Sequence, residues 1–260
     1  MVQSRTINWP VAVIGLISNG YNRHMNIKEM LQVGVTTSLH LPVRTSDYRA
    51  IKAHIEPFDL DLYRTLLPEP LTMPGTPKLL FEISEVSPQW HEGILSIACC
   101  HGDKEGWHGL YWAIDSYFPC VFGRLYGYPK FMADSMTLSA TDKGWLGLVE
   151  HKGKTHLRVD YHRLSKPDEA AGDIKSPSEE KPFFLQCPPE RGPHINRLTQ
   201  FDIKAPEVVY KPGTAHVTFD GDERYNGLLP PEGATGPAQI IEKIGWGFGF
   251  LYSRRMQRPS

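Results

Sequence analysis

One lysine in this sequence stands among groups that would keep water away from it. The window Gly123-Arg124-Leu125-Tyr126-Gly127-Tyr128-Pro129-Lys130-Phe131-Met132-Ala133-Asp134 surrounds Lys130 with Tyr126, Tyr128, Phe131 and Met132. An ammonium stripped of its hydration is disfavoured relative to the neutral amine. A neutral amine attacks a ketone carbonyl near neutral pH, so Lys130 is a candidate nucleophile for Schiff-base chemistry. The plain alternative is a surface lysine whose stem lies along aromatic rings.

Other reactive constellations are weaker. His101, His108, His151, His156 and His162 invite a metal reading, but no HExxH or comparable ligand spacing occurs. Asp134, Ser135 and a histidine would supply the residue types of a hydrolytic triad, yet no GxSxG elbow is present. The cysteines Cys99, Cys100, Cys120 and Cys187 contain no CxxC pair, which fits buried free thiols in a reducing compartment better than a disulfide framework or a zinc site. The run Gly245-Trp246-Gly247-Phe248-Gly249-Phe250-Leu251-Tyr252 alternates glycine with aromatics and reads as a buried strand or an oligomer contact, not a phosphate loop.

The elements that must position Lys130 are mostly short strands. Strand-like runs cover Lys78–Val86, Gly93–Cys100, Gly109–Asp115, Trp145–Val149, His156–Tyr161, Phe183–Gln186, Thr199–Ile203 and His216–Phe219. Gly and Pro between them predict a curved antiparallel sheet or barrel. One short helix is expected over Phe58–Leu67, with Pro57, Asp59 and Asp61 suiting its start and Pro68 and Pro70 stopping it. Two further helices are expected, at Gly123–Tyr128 running toward Met132 and at Ala238–Ile244.

The 260 residues are read as a single domain. Residues 1–40 form an N-terminal extension, and the polar stretch 165–181, with Ile174 its one large apolar residue, forms an exposed insertion loop. Charged residues make up 22% and the formal net charge is −1, with no basic cluster, so neither nucleic acid nor an anionic membrane surface is an expected partner. The apolar run Val11–Ile17 is interrupted upstream by Asn8, Trp9 and Pro10 and is not read as a signal peptide. No apolar run approaches a membrane span of roughly 18 residues, and the expected location is the cytoplasm.

The run Gly-Arg-Leu-Tyr-Gly-Tyr-Pro-Lys ending at Lys130 resembles the active-site segment of the acetoacetate decarboxylase family, in which a Pro-Lys lysine forms the Schiff base. Leu67-Pro68-Glu69-Pro70-Leu71 resembles the family's segment after its first helix, and Phe81-Glu82-Ile83 resembles a family strand carrying a glutamate. Trp90-His91-Glu92 aligns with the segment of a second active-site glutamate, and Arg49 lies at the spacing of the family's active-site arginine. Met132–Leu138 continues the similarity, which covers roughly residues 40–140.

The resemblance implies a mainly β (α+β) fold, with curved antiparallel sheets forming a barrel or cone and a few short helices. It implies a cofactor-independent, metal-free carboxy-lyase acting on a small keto acid, assembled as a homo-oligomer. Lys130 would form an iminium that accepts the electron pair released as carbon dioxide leaves. Arg49 would hold the substrate carboxylate with its planar fork. Glu92 would orient water and assist proton transfer. Glu82, in an apolar strand pattern, is either a buried acid needing a cation such as Arg49 or Lys130, or a solvated one. Tyr126, Tyr128 and Phe131 would line the substrate pocket with Arg49 and Glu82.

The sequence also departs from the family. Phe131 stands where the decarboxylases have a second lysine, so activation of the amine would rest on burial. The Gly-Arg segment is one residue shorter, and the first 40 residues have no counterpart. These departures keep open an aldolase or dehydratase using the same iminium, and a non-catalytic ligand-binding relative.

Overall fold

The computed structural model describes residues 43–44, 47–86, 90–125, 128–164, 183–186, 198–204, 209–244 and 247–255. The expected extension over 1–40 and insertion over 165–181 lie outside the described residues.

Apolar residues alternate with polar ones in runs such as Leu157–Tyr161 and Ala215–Phe219, whereas Trp90–His101 and Lys104–Ile114 are buried over successive residues, as strands covered on both faces are. The strands are β1 (Val43–Arg44), β2 (Asp47–Ile55), β3 (Leu79–Val86), β4 (Trp90–His101), β5 (Lys104–Ile114), β6 (Lys130–Met132), β7 (Ser135–Ala140), β8 (Gly144–His151), β9 (Lys154–Arg163), β10 (Phe183–Gln186), β11 (Leu198–Lys204), β12 (Val209–Phe219), β13 (Ala234–Ile244) and β14 (Gly247–Arg255). They form one sheet in the order β1-β14-β11-β10-β5-β4-β3-β2-β13-β12-β9-β8-β7, with β6 added alongside β5. Neighbours are antiparallel except β10–β5 and β5–β6.

The sheet curls until distant strands touch. One face of β2–β5 buries Ile51, Ala53, Phe81, Ile83, Leu95 and Ala113 with Met136, Val149, Leu157 and Val159 from β7–β9. Gly93 of β4 permits this approach: a Cβ there would lie 2.3 Å from the Val149 side chain. The β8–β9 turn places both Lys152 and Gly153 at positive φ, 52° and 75°, the backbone that two-residue hairpin turns require.

The opposite face of the same strands carries a second cluster of Leu80, Ile94, Trp107, Trp112 and Tyr128. A register shift between Leu95 and Ser96 inserts Leu110 as an extra residue in β5. Trp112 pairs with Ile94 and Trp107 with Ala98, so the bulge brings two tryptophans an odd number of residues apart onto one face.

Two helices are short. Helix α1 (Leu60–Thr65) is capped by the Asp59 carboxylate, which accepts from the Asp61 and Leu62 N–H groups. Helix α2 (Tyr117–Leu125) precedes β6. It corrects the helix expected at Gly123–Tyr128 running toward Met132: the helix instead ends at Leu125, and a strand begins at Lys130 because β5 offers an edge for parallel pairing. The expected helix at Ala238–Ile244 is strand β13. Its helical spacing is overridden because β12 and β2 pair with it on both sides. Strands β2 and β7 were not expected from the sequence.

Candidate active site

Lys130 reaches the second face through a compact local arrangement. After α2, the Tyr128 N–H donates to the Gly123 carbonyl at 3.1 Å, and Arg124 Nε donates to the Lys130 carbonyl. Lys130 then pairs with Trp112 as β6 joins β5. The lysine stem lies against Gly123, where a Cβ would come 2.3 Å from Cδ. Lys130 is 8% exposed.

The amine has one anionic partner among the described residues. Lys130 Nζ donates to Glu92 Oε1 at 2.6 Å, and Glu92 Oε2 accepts from Trp112 Nε1 at 3.2 Å. The same Nζ lies 5.4 Å from the ring centroids of both Trp112 and Tyr128, which meet edge to face. The two rings exclude water, while the carboxylate offers a proton acceptor in direct contact. That combination is what an amine nucleophile needs.

The register continues this site into a row. Lys130 pairs with Trp112, Trp112 with Ile94, Ile94 with Glu82, Glu82 with Lys52 and Lys52 with Gln239. Paired residues on neighbouring strands share a face, so all six lie on the Lys130 side. Glu82 Oε2 lies 3.2 Å from Lys52 Nζ, and Glu82 Oε1 accepts from the Tyr48 hydroxyl at 2.6 Å. Lys52 and Glu82 are both buried. Ser84 stands opposite Glu92 on β3.

At the strand end, next to Glu92, His91 donates its backbone N–H to Asp115 Oδ1 and places Nδ1 on Asp115 Oδ2, both at 2.7 Å. The hydrogen bond to Asp115 holds the His91 imidazole above its ordinary pKa against the opposing effect of burial. Burial acts on Asp115 to raise its carboxyl, but the hydrogen bonds from His91 outweigh it and the net shift is downward.

Of the residues singled out from the sequence, Lys130, Glu92 and Tyr128 come together, and Glu82 lies on the same face. Arg49 does not join them. Its neighbours Ala50 and Lys52 alternate with it along β2, and its guanidinium pairs with Glu242 Oε1 at 3.3 Å and Glu85 Oε2 at 3.8 Å, 4.5 Å above the Trp145 ring. Odd and even residues of a strand point to opposite faces, which separates Arg49 from Lys52. Phe131 is likewise on the far side of β6 from Lys130, packed against Tyr111, His151 and His156. It is not a wall of the Lys130 pocket. Tyr126 lies outside the described residues.

Sequence reading missed Lys52 and Trp112. The signal for Lys52 was a lone cation in the run Ala50-Ile51-Lys52-Ala53, where a buried strand has no room for an unpaired charge. Trp112 carried no signal, since its approach to Lys130 depends on the pairing of β6 with β5. Among the histidines, His151 and His156 do meet, with ring centroids 5.2 Å apart and the Tyr111 hydroxyl 3.2 Å from His156 Nδ1. Among the described residues no group of three or more His, Cys, Asp or Glu side chains is arranged to hold a metal ion.

A curled, mainly antiparallel sheet thus carries a buried lysine–glutamate pair faced by two aromatic rings. The chain belongs to the acetoacetate decarboxylase family, whose model matches residues 37–227. No curated protein matches the sequence. Solved structures do share the fold. Acetoacetate decarboxylase from Legionella pneumophila subsp. pneumophila str. Philadelphia 1 is 17% identical, with a TM-score of 0.69 over 98% of each chain. The enduracididine biosynthesis enzyme MppR is 16% identical, with a TM-score of 0.63 over 85% of this chain and 90% of its own. An acetoacetate decarboxylase-like enzyme from Sphingomonas wittichii RW1 is 17% identical, with a TM-score of 0.60 over 84% of this chain and 94% of its own. MppR has also been solved with pyruvate and with the condensation product of pyruvate and imidazole 4-carboxaldehyde.

Proposed function

We propose that this protein is a cofactor-independent lyase that decarboxylates a small β-keto acid through an iminium on Lys130. The observation that carries the reading is the buried Lys130 amine, 2.6 Å from Glu92 and faced by the Trp112 and Tyr128 rings.

The chemistry follows from those contacts. Glu92 takes a proton from the ammonium, and the neutral amine adds to the ketone carbon. The carbinolamine oxygen leaves as water with a proton returned by Glu92, giving the iminium. The bond to the carboxyl carbon breaks, carbon dioxide departs, and the electron pair moves into the iminium to give an enamine. A proton added at carbon restores an iminium, and water hydrolyses it to the product ketone and free Lys130. One proton is consumed overall. Water exclusion by Trp112 and Tyr128 protects the intermediates.

Trapping tests the proposal. Incubation with acetoacetate followed by borohydride is expected to leave a reduced adduct on Lys130, located by peptide mass spectrometry, with carbon dioxide released in the unreduced reaction. Absence of any adduct on Lys130 in folded protein, across a set of keto acids, would overturn it.

A second reading uses the same iminium for aldol condensation or dehydration. It draws on the condensation product seen with MppR and on Phe131 in place of a second lysine. Lys130 labelling without carbon dioxide release would favour it. Retained pocket binding without any adduct would favour a non-catalytic relative.

The reading extends to a homo-oligomer in the cytoplasm. Tyr117 and Val121 of α2 and Met132 of β6 are exposed apolar side chains that a second copy would cover. Cys99, Cys100 and Cys120 as free thiols suit a reducing compartment. No helix among the described residues is long and apolar enough to cross a membrane. Light scattering of the purified chain tests the assembly, and a monomer at micromolar concentration would remove it.

A further inference from the structure

We infer that Lys52, seconded by Gln239, is the group that holds the substrate carboxylate. This rests on the Schiff-base reading of Lys130 and assigns the anchor that reading requires.

A keto acid whose ketone carbon is bonded to Lys130 must place its carboxylate on the same face of the sheet. In a β-keto acid one methylene separates the two carbons, so the anchor must also be close. Arg49 fails the first condition, because it faces the other side and pairs with Glu242 and Glu85. Arg124 is exposed, and its Nε is committed to the Lys130 backbone carbonyl. Lys52 meets both conditions. It shares a continuous cross-strand row with Lys130, and its amine lies 3.2 Å from Glu82. Glu82 is paired with Ile94 and Glu92 with Ser84, which makes the two glutamates diagonal neighbours across β3 and β4. Such positions are about 7–8 Å apart, within reach of long side chains. Each glutamate holds one lysine, so the two amines are brought toward one another over that diagonal.

Gln239 gives a second, independent observation. It pairs with Lys52 on β13, is 1% exposed, and neither Nε2 nor Oε1 has a hydrogen-bond partner. A buried carboxamide without partners is unfavourable unless a ligand supplies them. Its Nε2 beside the Lys52 ammonium is a donor pair suited to a carboxylate. The Ser84 hydroxyl, also buried and without a partner, stands opposite Glu92 between the two pairs.

The arrangement also gives the anchored carboxylate a like-charged neighbour in Glu82. Departure of that carboxylate as neutral carbon dioxide removes the repulsion, whereas binding of a neutral ketone never meets it.

The test compares borohydride trapping of Lys130 by acetoacetate and by acetone, which differ only in the carboxylate. The wild-type chain is expected to be labelled at least tenfold faster by acetoacetate. Lys52→Met is expected to bring that ratio to near unity, Lys52→Arg to restore it in part, and Gln239→Met to lower it several-fold through KM. Because Lys52→Met leaves Glu82 buried without its cation, the double variant Lys52→Met/Glu82→Gln keeps the comparison available if the single variant does not fold. A wild-type ratio near unity, or a ratio unchanged in the folded Lys52 variants, overturns the assignment while leaving the Schiff base intact. If neither compound labels Lys130, the Schiff-base reading fails instead. Calorimetry with 3-hydroxybutyrate then decides the anchor: a tenfold weaker affinity in the Lys52 variant sustains it, and equal affinity removes it.

Discussion

Gly123 of α2 lies against the aliphatic stem of Lys130, with no space between them for a methyl group. The contact fixes the path of the lysine from β6 to Glu92. It also makes a glycine inside a helix part of the site, at a position where helix propensity alone would favour alanine by about 1 kcal/mol.

Gly123→Ala is therefore expected to leave α2 folded and to push the Lys130 stem aside. The borohydride trapping rate at Lys130 should fall at least tenfold, with the circular dichroism spectrum retained. Unchanged trapping would show that the stem has another route to Glu92.

Lys130→Ala is expected to abolish turnover, and Lys130→Arg not to rescue it, because a guanidinium stays protonated and cannot add to a carbonyl. Measured release of carbon dioxide checks both. Turnover in Lys130→Ala would count decisively against the proposed mechanism.

Glu92→Gln keeps the size of the side chain but removes the proton acceptor at 2.6 Å from the amine. General acid–base groups contribute about 10²–10⁴-fold, and a kcat loss in that range is expected. The variant also leaves a buried ammonium without its anion, which costs about 3–5 kcal/mol when one partner of a buried pair is removed. Chemical denaturation of Glu92→Gln beside Lys130→Met/Glu92→Gln, in which both charges are gone, should show the double variant to be the more stable.

The His91–Asp115 pair gives a pH dependence of stability. The His91 pKa is raised by its hydrogen bond to Asp115, so its contribution is present at low pH and is lost as pH rises through the raised value. Asp115 is lowered on balance, so its contribution is present above the ordinary carboxylate range and is lost as pH falls through the lowered value. The pair stabilises most between the two unshifted ranges, roughly pH 4 to 6.5. Asp115→Asn should flatten the decline in thermal midpoint above that window, and an unaltered profile would remove the pair as its cause.

Much of this protein was legible along the chain. Eight of the strand runs reappear as strands, because alternation of apolar and polar residues is a local property. Lys130 was legible for a similar reason: Tyr128 and Gly123, which lie against it, are near it in the sequence. The helix at Ala238–Ile244 misled because its spacing fits either element, and only β2 and β12, remote in sequence, decide between them.

The chain by itself marked Lys130 as the candidate nucleophile and determined that sheets dominate. Which groups meet that lysine was decided by the tertiary structure. A strand has two faces and a period of two, so a residue's side of the sheet depends on register with strands far away. Arg49 and Lys52 are three residues apart, and that odd spacing puts one cation against Glu242 and the other on the face of Lys130. Phe131 adjoins Lys130 in sequence and faces away for the same reason. The extra residue Leu110 shifts the alternation of β5, and Trp107 and Trp112 share the pocket face only because of it.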